Sequence, residues 1–319
     1  MADETPFFIV GTKRCGSTLL RLMLSSHSRI HIPVETNFIE DLVRELPLTQ
    51  PLDVAEVDRA VEIITTHRRW SYMEIPSEEF RRQATALNAP KLVDIINLVY
   101  RHHLKAEGKP RFADKTPEYI RIIPQLAALY PGAKFIHIIR DGRDVSMSYM
   151  DADFGRYYDR STFLWIEVMK LYHGYLHSPY SAQILEVRYE DLITAPEVTI
   201  RRICEFIGEE FESGMLDWHG QLNHLPENWL HAHHKLFQPL QTDAVGVWQT
   251  KLSGWECFAI ESCLHADLRR LGYQPRFAGG GWRPLLTVCG WLLFGAAPLL
   301  SRGIPYLQRR NYLPRSIYI

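Results

Sequence analysis

The sequence predicts an α/β fold, a P-loop-like three-layer arrangement with a mostly parallel central sheet flanked by helices. Two observations carry that prediction. Short apolar runs of strand length alternate with longer helical stretches through most of the chain, the pattern of a parallel sheet covered on both faces. The first such run, Phe7-Phe-Ile-Val10, leads at once into a glycine-bounded loop and then a helical run, Leu19 to Leu24, which is how a parallel α/β sheet opens.

The remaining elements follow in order. Residues 30–33 (Ile-His-Ile-Pro) read as a second short strand, and a helix is expected at 36–46. Residues 53–66 and 77–107 read as mainly helical, with Ser77, Glu78 and Glu79 as a cap and acidic first turn and Gly108 as the stop. Arg111-Phe-Ala-Asp-Lys115 precedes a helix from about Pro117 to Tyr130, which Pro124 should kink or divide. Ala133-Lys-Phe-Ile-His-Ile-Ile139 is the clearest strand, and Ile184 to Tyr189 is another. The next helix carries Ile200, Ile203 and Ile207 on one face and stops at Gly208. A last helix, about Gly254 to Leu271, carries Cys257, Ile260, Leu264, Leu268 and Leu271 on one stripe.

Composition narrows the class. In 319 residues, 46% are apolar and 23% charged, which excludes a disordered chain and a disulfide miniprotein. Lys and Arg total 36 against 37 Asp and Glu, so bulk charge gives no hold on nucleic acid. The balance hides an asymmetry: residues 276–319 carry six arginines and no acid, leaving a net −7 on residues 1–275. We therefore divide the chain into a domain at 1–275 and an apolar, Arg-rich tail at 276–319. Five scattered cysteines without a CxxC pair suggest free thiols in a reducing compartment, and Phe7 to Val10 is too short for a signal-peptide core. The expected location is cytoplasmic.

Gly11-x-x-x-x-Gly16-Ser17-Thr18 nearly matches the phosphate-cradling pattern GxxxxGK[ST]. Backbone N–H groups of such a loop face an anion at a helix N-terminus, although glycines also serve any tight turn. Ser17 stands where a kinase or ATPase keeps its lysine, and the positive charge has moved into the loop as Lys13 and Arg14. A nucleotide or metabolite kinase is the alternative reading, weakened by that substitution and by the absence of an obvious magnesium-binding aspartate after an apolar strand. A membrane-associated protein that binds nucleotide without catalysis is a third.

With two more segments the pattern becomes specific. Val10 to Leu20 resembles the 5′-phosphosulfate loop of sulfotransferases that use 3′-phosphoadenosine 5′-phosphosulfate (PAPS). Ile138-Ile-Arg-Asp-Gly-Arg-Asp-Val-Ser-Met-Ser148 resembles their 3′-phosphate motif, and Val187-Arg-Tyr-Glu-Asp-Leu192 a third family segment. Trp248, the helix after it and Leu271-Gly-Tyr273 also fit. The likeness spans roughly residues 5–275 and is nearest the bacterial and tyrosylprotein-type branch.

The resemblance implies roles. Arg14, Cys15, Gly16, Ser17 and Thr18 would hold the 5′ end of PAPS, with Arg14 stabilising charge on the leaving oxygen. Arg140 and Ser148 would bind the 3′-phosphate, while Arg143 is left between that role and a plain surface charge. Lys115 matches the family's active-site lysine, against a solvated strand-end lysine. Tyr189 would line the nucleotide site, against a half-buried strand tyrosine. The cytosolic enzymes' histidine base is missing, because Pro117 stands in its place. The tyrosylprotein-type branch uses a glutamate in a segment resembling Val34-Glu-Thr-Asn37, which makes Glu35 the candidate base, with His31 in reserve. The bland alternative for Glu35 is a carboxylate at the start of the helix. Cys15 at a helix N-terminus suggests a lowered thiol pKa without a catalytic role.

No metal is needed by this chemistry. His219, His224, His231, His233 and His234 lack metal-ligand spacing and read as part of an acceptor cleft. The acceptor would be a hydroxyl on a lipid, glycan or small molecule. In the tail, Pro284 to Leu300 has 17 residues without charge, interrupted by Gly290, Gly295 and Pro298 and accompanied by interface-loving Trp282, Trp291, Tyr306, Tyr312 and Tyr318. That composition suits a peripheral contact through residues 282–315 with the inner face of an anionic membrane, against a helix packed on the domain or in a dimer and, less favoured, a true span.

Overall fold

The computed structural model describes residues 5–151, 158–224, 226, 236–240 and 242–277. In chain order the elements are β1 (Phe7–Gly11), α1 (Ser17–Ser25), β2 (Ile30–His31), α2 (Phe38–Glu45), α3 (Val54–Thr66), α4 (Ser77–Thr85), α5 (Leu92–Glu107), β3 (Arg111–Lys115), α6 (Ile123–Leu129), β4 (Lys134–Ile139), α7 (Gly142–Asp151), α8 (Tyr158–Leu176), β5 (Ile184–Arg188), α9 (Tyr189–Thr194), α10 (Pro196–Ile207), α11 (Trp248–Lys251) and α12 (Gly254–Arg270). The chain divides into two compact units: Met1–Ile139 with Leu171–Gln241, and Arg140–Lys170 with Thr242–Ile319.

The first unit holds a five-stranded sheet in the order β2-β3-β1-β4-β5, with every pairing parallel. β1 is central and wholly buried, so its Phe7, Phe8, Ile9 and Val10 each contribute about 1.5–3 kcal/mol of hydrophobic burial. α1 packs on β1, β2 and β3, α5 on β2 and β3, and α9 and α10 on β5. The chain leaves β1 toward one side of the sheet and crosses to the other at β4. The carboxyl end of β1 is therefore a switch point, where open α/β sheets bind ligands. Because all strands run the same way, their carboxyl ends lie along one edge of the sheet.

Two expected helices differ in detail. Residues 77–107 are broken between α4 and α5, where Pro90 excludes a continuous ladder. Ser77 does not cap α4, because Pro76 occupies the cap position and the Ser77 hydroxyl accepts a bond from Trp70 Nε1 at 2.8 Å. Pro124 does divide its segment, into a 3₁₀ turn at Pro117–Ile122 and α6.

In the second unit, α7 packs against α11 and α12. Gly142 begins α7 against Trp165 and Leu264. Glu261 of α12 accepts from the backbone N–H groups of Arg276 (2.8 Å) and Phe277 (3.1 Å), fixing where the chain leaves toward the tail. The tail beyond Phe277, with its expected membrane contact, and His231, His233 and His234 lie outside the described residues. Among the described residues, no helix is long and apolar enough to cross a membrane.

Candidate active site

The loop after β1 is built by two glycines. Gly11 has φ 152°, and a Cβ there would lie 2.6 Å from the Ile138 carbonyl oxygen. Gly16 has φ 94°, and a Cβ would collide with the Tyr189 ring, so only glycine lets β1 turn directly into α1 beneath that ring. Tyr189 is the first residue of α9 rather than a strand residue, and it is buried over the loop. Gly16 provides no side-chain cap and the first turn of α1 holds no acid, and the Ser17 N–H bonds the Cys15 sulfur. Arg14 is half-buried with φ 67°, a left-handed geometry that costs a non-glycine residue about 1–3 kcal/mol and that collects at ligand sites. Lys13 pairs with Glu118 at 2.7 Å.

Cys15 departs from expectation. It is wholly buried, and burial raises its thiol pKa, outweighing Ser17 and the Lys115 charge. Its sulfur faces the core under Gly11, which leaves only its backbone for a ligand.

β2 and β3 bring together two residues 80 positions apart. Lys115, the last residue of β3, is wholly buried, and its Nζ donates to Glu35 Oε1 at 2.5 Å. It is thus no solvated strand-end lysine. Arg69 Nη2 donates to the other oxygen, Glu35 Oε2, at 3.2 Å. Burial alone would raise the Glu35 pKa, but Lys115, Arg69 and Lys13 outweigh it and hold the carboxyl at about 2. Both Glu35 oxygens are engaged by these cations, and α2 begins three residues later, so Glu35 does not serve as its cap. Arg21, buried on α1, acts by its charge on both Glu35 and Lys115, and burial lowers its own pKa to about 10. Sequence reasoning missed Arg21 and Arg69. The signal for Arg21 was a charge inside an apolar helix stripe, whereas Arg69 lies on a connection with no pattern. His31 stacks on His103, ring centroids 5.6 Å apart, and its Nδ1 lies 3.9 Å from Glu107.

In the second unit, Arg140 directly follows β4, and its Nη2 donates to the Ala244 carbonyl at 2.9 Å. Ser148 lies half-buried on α7. Arg143 is 1% exposed and is no surface charge. It makes two bonds to Asp141 (3.0 and 2.7 Å), pairs with Glu261, donates to the Gln274 carbonyl at 3.1 Å and lies 3.6 Å from the Trp248 ring centroid. Asp144 accepts from the N–H groups of Gly246 (2.8 Å) and Trp248 (2.9 Å). No group of three or more His, Cys, Asp or Glu side chains among the described residues could hold a metal ion.

An uncapped helix terminus at a sheet switch point, with buried cations around one carboxylate, defines an α/β protein that handles an anionic group. The sulfotransferase family model matches residues 6–213, and the chain belongs to that family. Protein-tyrosine sulfotransferase A of Caenorhabditis elegans is 25% identical over 283 residues, 85% of this chain and 68% of its own. An uncharacterised Aquifex aeolicus protein is 25% identical over 226 residues, and this chain spans only 27% of its length. The sulfotransferase domain of the Synechococcus PCC 7002 olefin synthase has the same fold. It superposes with a TM-score of 0.61 at 21% identity, covering 86% of this chain and 97% of that domain.

Proposed function

We propose that this chain moves the sulfuryl group of PAPS to an acceptor hydroxyl, with Glu35 as the base and Arg14 and Lys115 as charge stabilisers. The observation that carries the reading is the buried Lys115–Glu35 pair at the carboxyl edge of the sheet. The acceptor oxygen attacks sulfur as the bond from sulfur to the 5′-phosphate oxygen breaks. The hydroxyl proton passes to Glu35, and the leaving 3′-phosphoadenosine 5′-phosphate (PAP) takes its negative charge against Arg14 and Lys115. The N–H groups of Gly16, Ser17 and Thr18, with Cys15 giving only its backbone and Tyr189 above the loop, hold the 5′ end. Arg140 and Ser148 hold the 3′-phosphate.

Held at about 2, Glu35 is a poor base while Lys115 stays on it. An arriving anionic donor draws Lys115 away, and Glu35 gains basicity at the moment a proton needs a destination. The pair thus keeps the base muted until the donor is present.

A thermal-shift titration tests the donor site. PAP should raise the melting temperature, whereas AMP and ATP with magnesium should not. A shift with ATP and magnesium alone would make the chain a kinase.

For the acceptor, the relatives' names point to a tyrosyl hydroxyl, and the molecule's own surface points to a hydroxyl carried at a membrane. Trp255 is 62% and Phe277 37% exposed, and both rings contact Phe258 (centroids 5.6 Å apart in each case). This aromatic ledge stands beside the start of the Arg-rich tail, and ledge and tail together suit peripheral attachment to the inner face of an anionic bilayer. Flotation with anionic and neutral vesicles tests it. Deleting residues 276–319 should abolish binding, and undiminished binding would sink the membrane reading.

A further inference from the structure

Behind Glu35 runs a buried chain of hydroxyl groups that the reaction does not use directly. Thr36 Oγ1 donates to Asp114 Oδ2 at 2.7 Å, and Tyr100 donates to the same oxygen at 2.7 Å. The Thr36 proton being spent, the Tyr119 hydroxyl donates to Thr36 Oγ1 at 2.6 Å and accepts from the Ile39 N–H at 3.1 Å. Thr36, Asp114 and Tyr119 are wholly buried and Tyr100 is 1% exposed. Burial and the nearby Asp114 carboxylate push both phenols well above their ordinary pKa, which keeps them protonated as donors.

The register of this chain is informative. Glu35 and Thr36 are consecutive, and so are Lys115 and Asp114. Glu35 meets Lys115 and Thr36 meets Asp114, giving two adjacent rungs between the same two segments. The next residue, Asn37, is left-handed at φ 60° and gives α2 no side-chain cap. The Tyr119 hydroxyl supplies one instead, through Ile39.

We propose that Thr36, held by Asp114 and Tyr119, is a positioning residue for Glu35, a fixed rung that keeps the base in place when the Glu35–Lys115 rung opens. The inference rests on Glu35 being the base. The pair to Lys115 cannot position Glu35 during the reaction, because Lys115 is then occupied with the donor; Arg69 still meets the Glu35 side chain at 3.2 Å but leaves its backbone to Thr36. Asn37, the next residue, is held at φ 60° and makes no side-chain cap bond, so the segment between Glu35 and α2 depends on Thr36 and on the Tyr119–Ile39 bond. A base displaced by about 1 Å can cost 10²-fold in rate, so an independent anchor one peptide bond away has a direct kinetic consequence.

The test uses the full chain with Thr36→Val, which keeps shape but removes the hydroxyl, and Thr36→Ser, which restores it. Amide hydrogen exchange, PAP affinity by thermal shift and release of PAP from PAPS with water as acceptor are read for each. Thr36→Val should speed exchange at residues 35–39 at least tenfold and lower PAPS turnover about 10- to 100-fold. PAP affinity should stay within about twofold and β4 exchange should not change. Thr36→Ser should return both quantities to the wild-type range. Unchanged exchange at 35–39 overturns the proposal. So does a parallel rise in β4 exchange with loss of PAP binding, which would mark general loosening. The exchange arm needs no acceptor and decides even where hydrolysis is slow. Normal turnover in Glu35→Gln would remove the base itself while leaving the Thr36 exchange result intact, so the two failures are distinguishable.

Discussion

Two buried arginine-and-carboxylate clusters sit in the two units of this chain, and they are built on opposite principles. Around Arg143 the acids are in excess: Asp141 and Glu261 both face it, Trp248 covers its plane, and Glu261 also takes two backbone N–H groups. Around Glu35 the cations are in excess, with Lys115, Arg69 and the charge of Arg21 sharing one carboxylate. A saturated cluster has nothing left to bind and serves the fold. A cluster with surplus buried positive charge is expensive unless an anion joins it, and that surplus marks where a ligand belongs.

The sharpest way to break this comparison is to neutralise one member of each cluster. Glu35→Gln should lower PAPS turnover per folded molecule by about 10² to 10⁴, the usual worth of a positioned base, while PAP binding holds; the melting temperature should fall, because Lys115 and Arg69 lose their carboxylate. Full turnover would demote the cluster to structure. The pH profile adds a sign. Because the carboxyl is depressed to about 2 in the free enzyme, the ion pair's stabilisation is present above the ordinary carboxyl pKa of 4.5 and fades only as pH falls toward 2. The acid limb of kcat/KM for PAPS should therefore lie below that of kcat.

Arg143→Met should cost stability and spare activity. It strands Asp141 and Glu261 without their cation, at a cost of about 3–5 kcal/mol in denaturant unfolding. Turnover per folded molecule should change little. A stable but inactive Arg143→Met would move Arg143 from the scaffold to the donor site.

Much of this was legible in the sequence, and what was legible is local. The strands appear as apolar runs, and the turns that lead from β1 into α1 and from β4 into α7 as compact motifs, because such turns are written in consecutive residues. Arg69 and the Thr36–Asp114–Tyr119 chain were not legible. Their partners are long-range, and they meet only because β2 lies next to β3 in the sheet. The surface-charge alternative for Arg143 fails for a similar reason: besides Asp141, its acidic partner Glu261 is 118 positions away.

His137 of β4 extends the contrast to a buried group that carries no charge at all. Burial, reinforced by His173, lowers its pKa from 6.5 to about 3. Its folded pKa lies below its unfolded one, so its neutral form is no burden above 6.5. As pH falls from 6.5 toward 3 the unfolded chain takes a proton that the folded one refuses. Unfolding free energy should then drop by up to about 1.4 kcal/mol per pH unit from this residue. His137→Leu should flatten that slope. An unchanged slope would assign acid sensitivity to the ion pairs instead.

The smallest expected effect tests where the cationic cluster ends. Lys13 sits in the Gly11–Thr18 loop and contributes to holding Glu35 down, yet its side chain is 36% exposed and already paired with Glu118. Exposed pairs of this kind are worth about 0.2–1 kcal/mol and weaken with salt. Lys13→Ala should therefore shift PAPS turnover by no more than about threefold, and the difference should shrink further at about 0.5 M salt, where screening is strong. A loss as deep as that of Glu35→Gln, and insensitive to salt, would mean that Lys13 leaves Glu118 for the donor. The surplus charge that distinguishes the first unit would then begin in the loop itself, before the buried side chains of α1 and β3 are reached.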